Sequence, residues 1–475
     1  MGFTPPPGCC GITRRGFLLG AATGMVAGGG LSWLGLRAGR HAEPETGRAF
    51  TGRSFEVARP SLAMPGRFPG RVIEVRHPGA VKAPSHQVSP EAVRTMMDRG
   101  MKELTGADHP LEAWRSFFEP GDVVGIKVNP VGYQRRPDVV GAISSPAVLL
   151  EVVRGLRSAG VKPQDIIVLE RYAAEFREAG YETLMNSCPD LEGVRWYASS
   201  SGYDPSQLNL DGFRSSRDRF ESDPNVVGYD PDVFVTMAFA APEADPRDDR
   251  RFRSHLSVIV TRMINKLITL PVLKDHRSAG VTLALKNLSH GLNNNVARSH
   301  LPTYVRLAGG TSSPNQCNTF IPTAAGQLPT RQKATLHILD GLIGVYEGGP
   351  GSWNPTWGTW RRQSLFFATD PVALDHVGWD IIDAKRAQEG WQPVARMGLD
   401  FQQEGVKLSS RLAMLAAGGP ADALTLSAVA QNNYPGSQET EQFDRRQPEH
   451  IILAETIGLG VFDAGRIDHR VKMTR

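Results

Sequence analysis

The chain has 475 residues, 40% hydrophobic and 21% charged, the proportions of a globular protein long enough for one large or two smaller domains. Its formal charge of +4 comes from residues 1–42, which hold Arg14, Arg15, Arg37 and Arg40 and no acid; beyond them 49 basic residues balance 49 acidic ones. A near-neutral body without a lysine–arginine block lacks the electrostatic footprint of a nucleic-acid binder, so no nucleic-acid partner is expected.

Residues 1–42 read as a targeting segment. Thr13-Arg14-Arg15-Gly16-Phe17-Leu18-Leu19 resembles the twin-arginine export motif, and an uncharged, glycine- and alanine-rich stretch follows over 16–36. A transmembrane helix is the competing reading, since about 20 apolar residues span a bilayer. Gly28-Gly29-Gly30 argues against it, because each glycine costs a helix roughly 1 kcal/mol. The resemblance implies passage through the twin-arginine export machinery and an extracytoplasmic location, periplasmic where an outer membrane exists. Arg40-His41-Ala42 is a poor small-x-small cleavage site, which leaves open an uncleaved N-terminal anchor. Of the four cysteines, Cys9 and Cys10 precede the arginines, and only Cys188 and Cys317 lie in the body. No C-x-x-C spacing occurs, so no iron–sulfur cluster is expected. Two separate thiols are favoured over a Cys188–Cys317 pair.

Residues 43–70, with scattered Pro, Gly and Arg, read as a linker. Residues 71–475 read as a single large α/β domain, its mostly parallel or mixed sheet covered by helices. A strand is expected over 71–81. A helix follows over 89–104, capped by Ser89 with Pro90 behind it, its Met-rich stripe better suited to core packing than to a metal. Next come a buried strand (123–129), a helix (146–159) closed by Gly160, and a strand (165–169). Residues 200–255, rich in Asp, Arg, Ser and Pro, read as an irregular insertion. The alternation resumes with a strand at 267–273, a helix at 281–292, strands at 335–339 and 364–368, and a helix at 372–382.

Four segments place polar groups at strand ends or helix starts, where open parallel sheets bind ligands. In Gly125-Ile126-Lys127-Val128-Asn129-Pro130 the strand period puts Lys127 and Asn129 on one face. A lysine in a buried strand needs an anion or an open cleft, unless it snorkels to the sheet edge. In Leu270-Pro271-Val272-Leu273-Lys274-Asp275-His276, Lys274 and His276 share a face, and Pro271 predicts a bulge or edge. In the helix at 281–292, Thr282, Lys286, Ser289 and Asn293 form a polar stripe without acids beside Asn287, better suited to an anion than to solvent. The fourth segment is acidic. Asp340 ends a strand before Gly341, Asp370-Pro371 is a helix cap, and Asp375 follows it; Asp340 and Asp375 suit a hard cation, but at no diagnostic spacing. No metal or cofactor can be named. Phosphate-binding, zincin, nucleophile-elbow and dinucleotide signatures are missing.

These segments, with Leu339-Asp340-Gly341, Asp370-Pro371-Val372-Ala373-Leu374-Asp375 and Ala454-Glu455-Thr456-Ile457-Gly458-Leu459-Gly460, resemble the family catalogued as domain of unknown function 362, over roughly residues 70–470. The resemblance implies an α/β fold and no established reaction. Some relatives carry a ferredoxin-like cysteine cluster, which this chain lacks. Two functions remain open. One is an enzyme for a small anionic substrate: Lys274, Lys286 and His276 would be catalytic, with Lys127, Asn129, Asn287 and Asp340 binding the ligand. The other is a non-catalytic binding or maturation protein for an anionic ligand or metal complex. Three lysines around one anion is the geometric expectation common to both.

Overall fold

A computed structural model of the protein describes residues 61–202, 223–236, 252–276, 279–296, 299, 317–354, 356–396 and 448–475. Arg14, Arg15, most of the expected linker and much of the 200–255 excursion lie outside the described residues. In chain order the elements are β1 (Arg71–Arg76), α1 (Pro90–Thr105), α2 (Pro110–Arg115), β2 (Val124–Lys127), α3 (Pro146–Ser158), β3 (Ile166–Tyr172), α4 (Ala173–Glu178), α5 (Tyr181–Ser187) and β4 (Arg195–Ser200). β5 (Tyr229–Thr236) and β6 (Arg253–Ser257) form a separate antiparallel ribbon. β7 (Lys266–Thr269), β8 (Val272–His276), β9 (Gly280–Val281), α6 (Leu283–Ser289), α7 (Cys317–Ala325), α8 (Leu328–Lys333) and β10 (Ala334–Glu347) follow. The chain closes with β11 (Gly358–Trp360), β12 (Ser364–Ala368), α9 (Pro371–Gln388), α10 (His450–Thr456) and β13 (Asp468–Met473).

The fold is α/β, built on a mixed sheet of 11 strands whose main path runs β13-β1-β12-β10-β7-β2-β3-β4. β10, β7, β2, β3 and β4 run parallel to one another along this path, while β12 runs antiparallel to both β1 and β10. Both faces are covered, which is why the strands read as apolar runs. β3 illustrates it: Ile166 and Val168 pack into one core with α1 and α3, and Ile167 and Leu169 into the other, with α6, α7 and α9.

Local chemistry sets the helix ends. Ser89 Oγ accepts the Ala92 N–H at 3.3 Å to start α1, and Gly106 ends it in the left-handed conformation that glycine adopts without cost. Met96, Met97 and Met101 are fully buried, so that stripe is core. The expected strand at 267–273 is in fact two. Pro271 cannot donate to the ladder, and β7 gives way to β8 across Leu270-Pro271, with β10 shifting register against β8. Two boundaries differ more. The helix expected over 281–292 is only Leu283–Ser289, because Val281 pairs with Asp275 in β9. The strand expected to stop before Asp340 runs on to Glu347, so Asp340 lies inside β10.

Candidate functional site

The parallel strands place the site. β3 and β4 are laid down on one side of β2, and β7 and β10 then fill the other side, so the winding direction reverses between β2 and β7. The crevice beyond the carboxyl ends of strands at such a switch point is where open α/β sheets take ligands. Lys127 is the last residue of β2, and β8, carrying Lys274 and His276, extends the chain beyond β7 over the same edge.

Lys127 is buried, and each of its three donors meets an oxygen: Glu170 Oε2 at 2.5 Å, the Val128 carbonyl at 2.6 Å and Asn287 Oδ1 at 3.2 Å. Burial pulls its pKa below the ordinary lysine value, and the Glu170 carboxylate opposes that shift. Asn287 Nδ2 donates back to the Lys127 carbonyl at 3.4 Å. Gly291, just past α6, has to be small here. A Cβ would stand 2.4 Å from the Asn287 carbonyl oxygen and 2.9 Å from Lys127 Nζ. Lys127 is therefore an internally neutralised strut between β2, β3 and α6.

Lys274 differs. It is 0% exposed, and Nζ donates to Asn129 Oδ1 at 3.1 Å and to the Val131 carbonyl. Among the described residues it makes no ion pair. Burial lowers its pKa first, the positive Lys286 lowers it further, and Glu175, Asp275 and Glu170 offset only part, so it is pushed down to about 7. The effect of Lys286 puts the two cations within electrostatic reach of each other. Asn129 lies beyond the end of β2, held by its N–H to Ser144 Oγ at 2.7 Å. His276, also buried, accepts the Ala279 N–H on Nδ1 at 3.2 Å, which leaves the ring proton on Nε2. Lys274 and His276 share one face of β8, and Asp275 on the other accepts the Gly349 N–H at 2.8 Å.

The polar stripe along and just beyond α6 is buried throughout, Lys286 and Thr282 at 7% and 6% exposure and Ser289 and Asn293 at 0%, so it is no solvated face. Asp375 reaches over from α9 and accepts the Ala284 and Leu285 N–H groups at 2.7 and 2.9 Å. It caps α6, and with it fixes where Lys286 and Asn287 sit. That use differs from the cation site read from sequence.

Asp340, expected as a ligand-binding residue, is not joined to the lysines by any described contact. Its oxygens accept the Ser145 N–H at 2.7 Å and the Leu342 N–H at 3.0 Å, tying the start of α3 to β10. Burial raises its pKa to about 6 against those two bonds. Asp370 is the expected cap and more: it accepts from Val372, Ala373, Gly70 and Val461. Among the described residues no group of three His, Cys, Asp or Glu is arranged to hold a metal ion. Cys188 and Cys317 are not joined in a disulfide, and Cys317 Sγ donates to the Ser299 carbonyl at 3.3 Å.

Sequence reasoning missed the acids of β3 and α4. Glu170 pairs with Lys127, and the buried Glu175 acts on Lys127 and Lys274 alike, favouring their charged forms. Arg171, between them, donates to the His290 carbonyl at 2.8 Å, binding β3 to the end of α6. The available signal was a Glu-Arg pair closing an apolar strand, Ile166-Ile167-Val168-Leu169, in a chain already seeking partners for a buried lysine. A separate cavity of about 650 Å³, lined in part by His86, Tyr133, Val140 and Glu178, contains none of the three lysines.

The arrangement is thus a mixed α/β sheet with a buried lysine–amide–carboxylate cluster at its switch point. Residues 252–380 match the family described as Domain of unknown function (DUF362), which supports that family for this part of the chain. The match takes in Lys274, His276, Lys286, Asn287 and Asp340 and leaves out Lys127, Asn129 and Glu170; it is narrower than the span suggested by the motifs. No curated protein matches the chain.

Proposed function

We propose that the protein is an exported enzyme acting on a small anionic substrate at the Lys127–Lys274–Lys286 cluster. Lys274 carries this reading. It is a lysine buried beside a second cation, with no carboxylate at ion-pair distance among the described residues and a pKa near the working pH. Such a group exchanges protons at neutral pH, which a passive binding site does not require. Lys286 supplies the charge that holds the anion, with Asn129 and Asn287 beside it. Lys127, already neutralised by Glu170, positions β2, β3 and α6. His276 completes the acid–base pair. Asp340 drops out of the ligand set in favour of its backbone role.

Titration calorimetry of the purified chain with inorganic phosphate and pyruvate tests the anion site. Lys286→Ala is expected to weaken binding at least tenfold, with the circular dichroism spectrum of the folded chain retained, because the substitution removes the charge that meets the anion. Equal affinity in the variant and the wild type would remove the reading. Export rests on Arg14 and Arg15 ahead of a weakly apolar stretch. Replacing both with lysine is expected to retain the protein in the cytoplasm on cell fractionation, and unchanged export would end that proposal.

A further inference from the structure

We propose that Lys274 is an imine-forming amine and that the substrate is a small anion bearing a ketone or aldehyde carbonyl, its charged end held by Lys286. The inference rests on the anionic-substrate reading above and deepens it. It starts from counting donors. A charged lysine has three N–H donors and no lone pair; a neutral one has two donors and one lone pair. Lys127 meets three oxygens, one of them a carboxylate, which matches an ammonium group. Lys274 meets two, both uncharged, from Asn129 and Val131, which matches a neutral amine with its lone pair left over. Its neighbour reinforces the match. A lysine desolvated beside another cation is the arrangement that turns an amine into a nucleophile. The same two features hold its pKa near 7.

The step balances without an outside oxidant or reductant. The Nζ lone pair attacks the carbonyl carbon, and the carbonyl π electrons pass to oxygen, which takes up a proton. The amine then loses a proton, and the carbinolamine expels its oxygen as water after a second protonation. The product is a protonated imine, one amine, one carbonyl and one proton having given one imine cation and one water. His276, on the same face of β8, is placed to carry these protons. The imine cation withdraws electrons from the bond next to the former carbonyl carbon, so the reaction class is cleavage or proton exchange at that position. A carboxylate or phosphate on the same molecule would answer to Lys286.

Borohydride trapping tests it. The full chain is incubated with pyruvate or glyoxylate at several pH values, reduced with sodium borohydride, digested and mapped by mass spectrometry. A single adduct is expected on the peptide containing Lys274, its yield rising with pH around a midpoint of about 7. Lys274→Met should give none. Adducts spread over exposed lysines, or no adduct on Lys274 in the wild type, would overturn the proposal, and neither result depends on the variant folding. Calorimetric binding of pyruvate without trapping would overturn the imine alone and leave the anion site standing.

Discussion

Asp370→Ala is expected to be the most damaging single substitution outside the lysine cluster, lowering stability by about 4 kcal/mol or more. The carboxylate accepts four backbone N–H groups. Val372 and Ala373 belong to the first turn of α9, Gly70 precedes β1, and Val461 lies in the C-terminal segment, 300 and 91 residues from Asp370 for the last two. Each buried N–H left without an acceptor costs about 1–3 kcal/mol, and the terms are not fully additive. Whole domains are stable by only about 5–15 kcal/mol. Gly460 packs so closely on the carboxylate that a Cβ there would stand 1.9 Å from Asp370 Oδ1. Asp370→Asn should fall between wild type and alanine. Its amide oxygen can still cap α9, but its NH₂ then faces the Gly70 and Val461 donors. Urea midpoints of the three proteins check the order. An alanine variant within about 0.5 kcal/mol of wild type would deny the carboxylate its role as a tie.

Asp370 was also legible in advance, and the reason is instructive. A cap acts within three residues, so Asp370-Pro371 and Ser89-Pro90 announce themselves locally. Alternating apolar runs gave away the α/β class, since both faces of the sheet are covered. Pro271 gave away the break between β7 and β8. What sequence could not supply was partnership across the fold. Nothing near Asp340 says that its acceptors go to Ser145 and Leu342, one of them 195 residues away. Nothing near Asp375 says that it caps a helix 90 residues earlier. The three lysines were found because charge inside apolar sequence is costly wherever it lies. Which of them is neutralised, and by what, depended on Glu170 and Glu175, acids that looked like ordinary strand-end and helix polarity. Boundaries failed for a related reason: β9 takes Val281 by pairing with Asp275, a contact that outweighs its place in a helical stripe.

Glu170→Ala is expected to cost about 3–5 kcal/mol at neutral pH, because it leaves the Lys127 ammonium buried without its counter-charge. The pH dependence gives the signature. The folded pKa of Lys127 lies below the unfolded value, so the folded state gives up its proton first. The stability linked to this group is therefore full above the unfolded lysine pKa and is lost as pH falls through the folded pKa. Removing Glu170 removes the main influence that favours the charged form, so the folded pKa drops further and the affected window widens downward. The deficit of the variant should consequently be largest near pH 7 and shrink towards pH 10, where Lys127 is neutral in the folded variant. Urea unfolding of both proteins across that range would measure it, and a deficit that stays constant with pH would mean that Glu170 acts through packing alone. Lys127→Met combined with Glu170→Leu should recover most of the loss, since a buried ion pair replaced by apolar groups of similar volume is often neutral or stabilising. The coupling energy from that double-mutant cycle separates the charge interaction from the two side chains' separate packing. If Lys127 is a strut, phosphate affinity should survive in the double variant to within a few-fold, while Lys286→Ala alone weakens it at least tenfold.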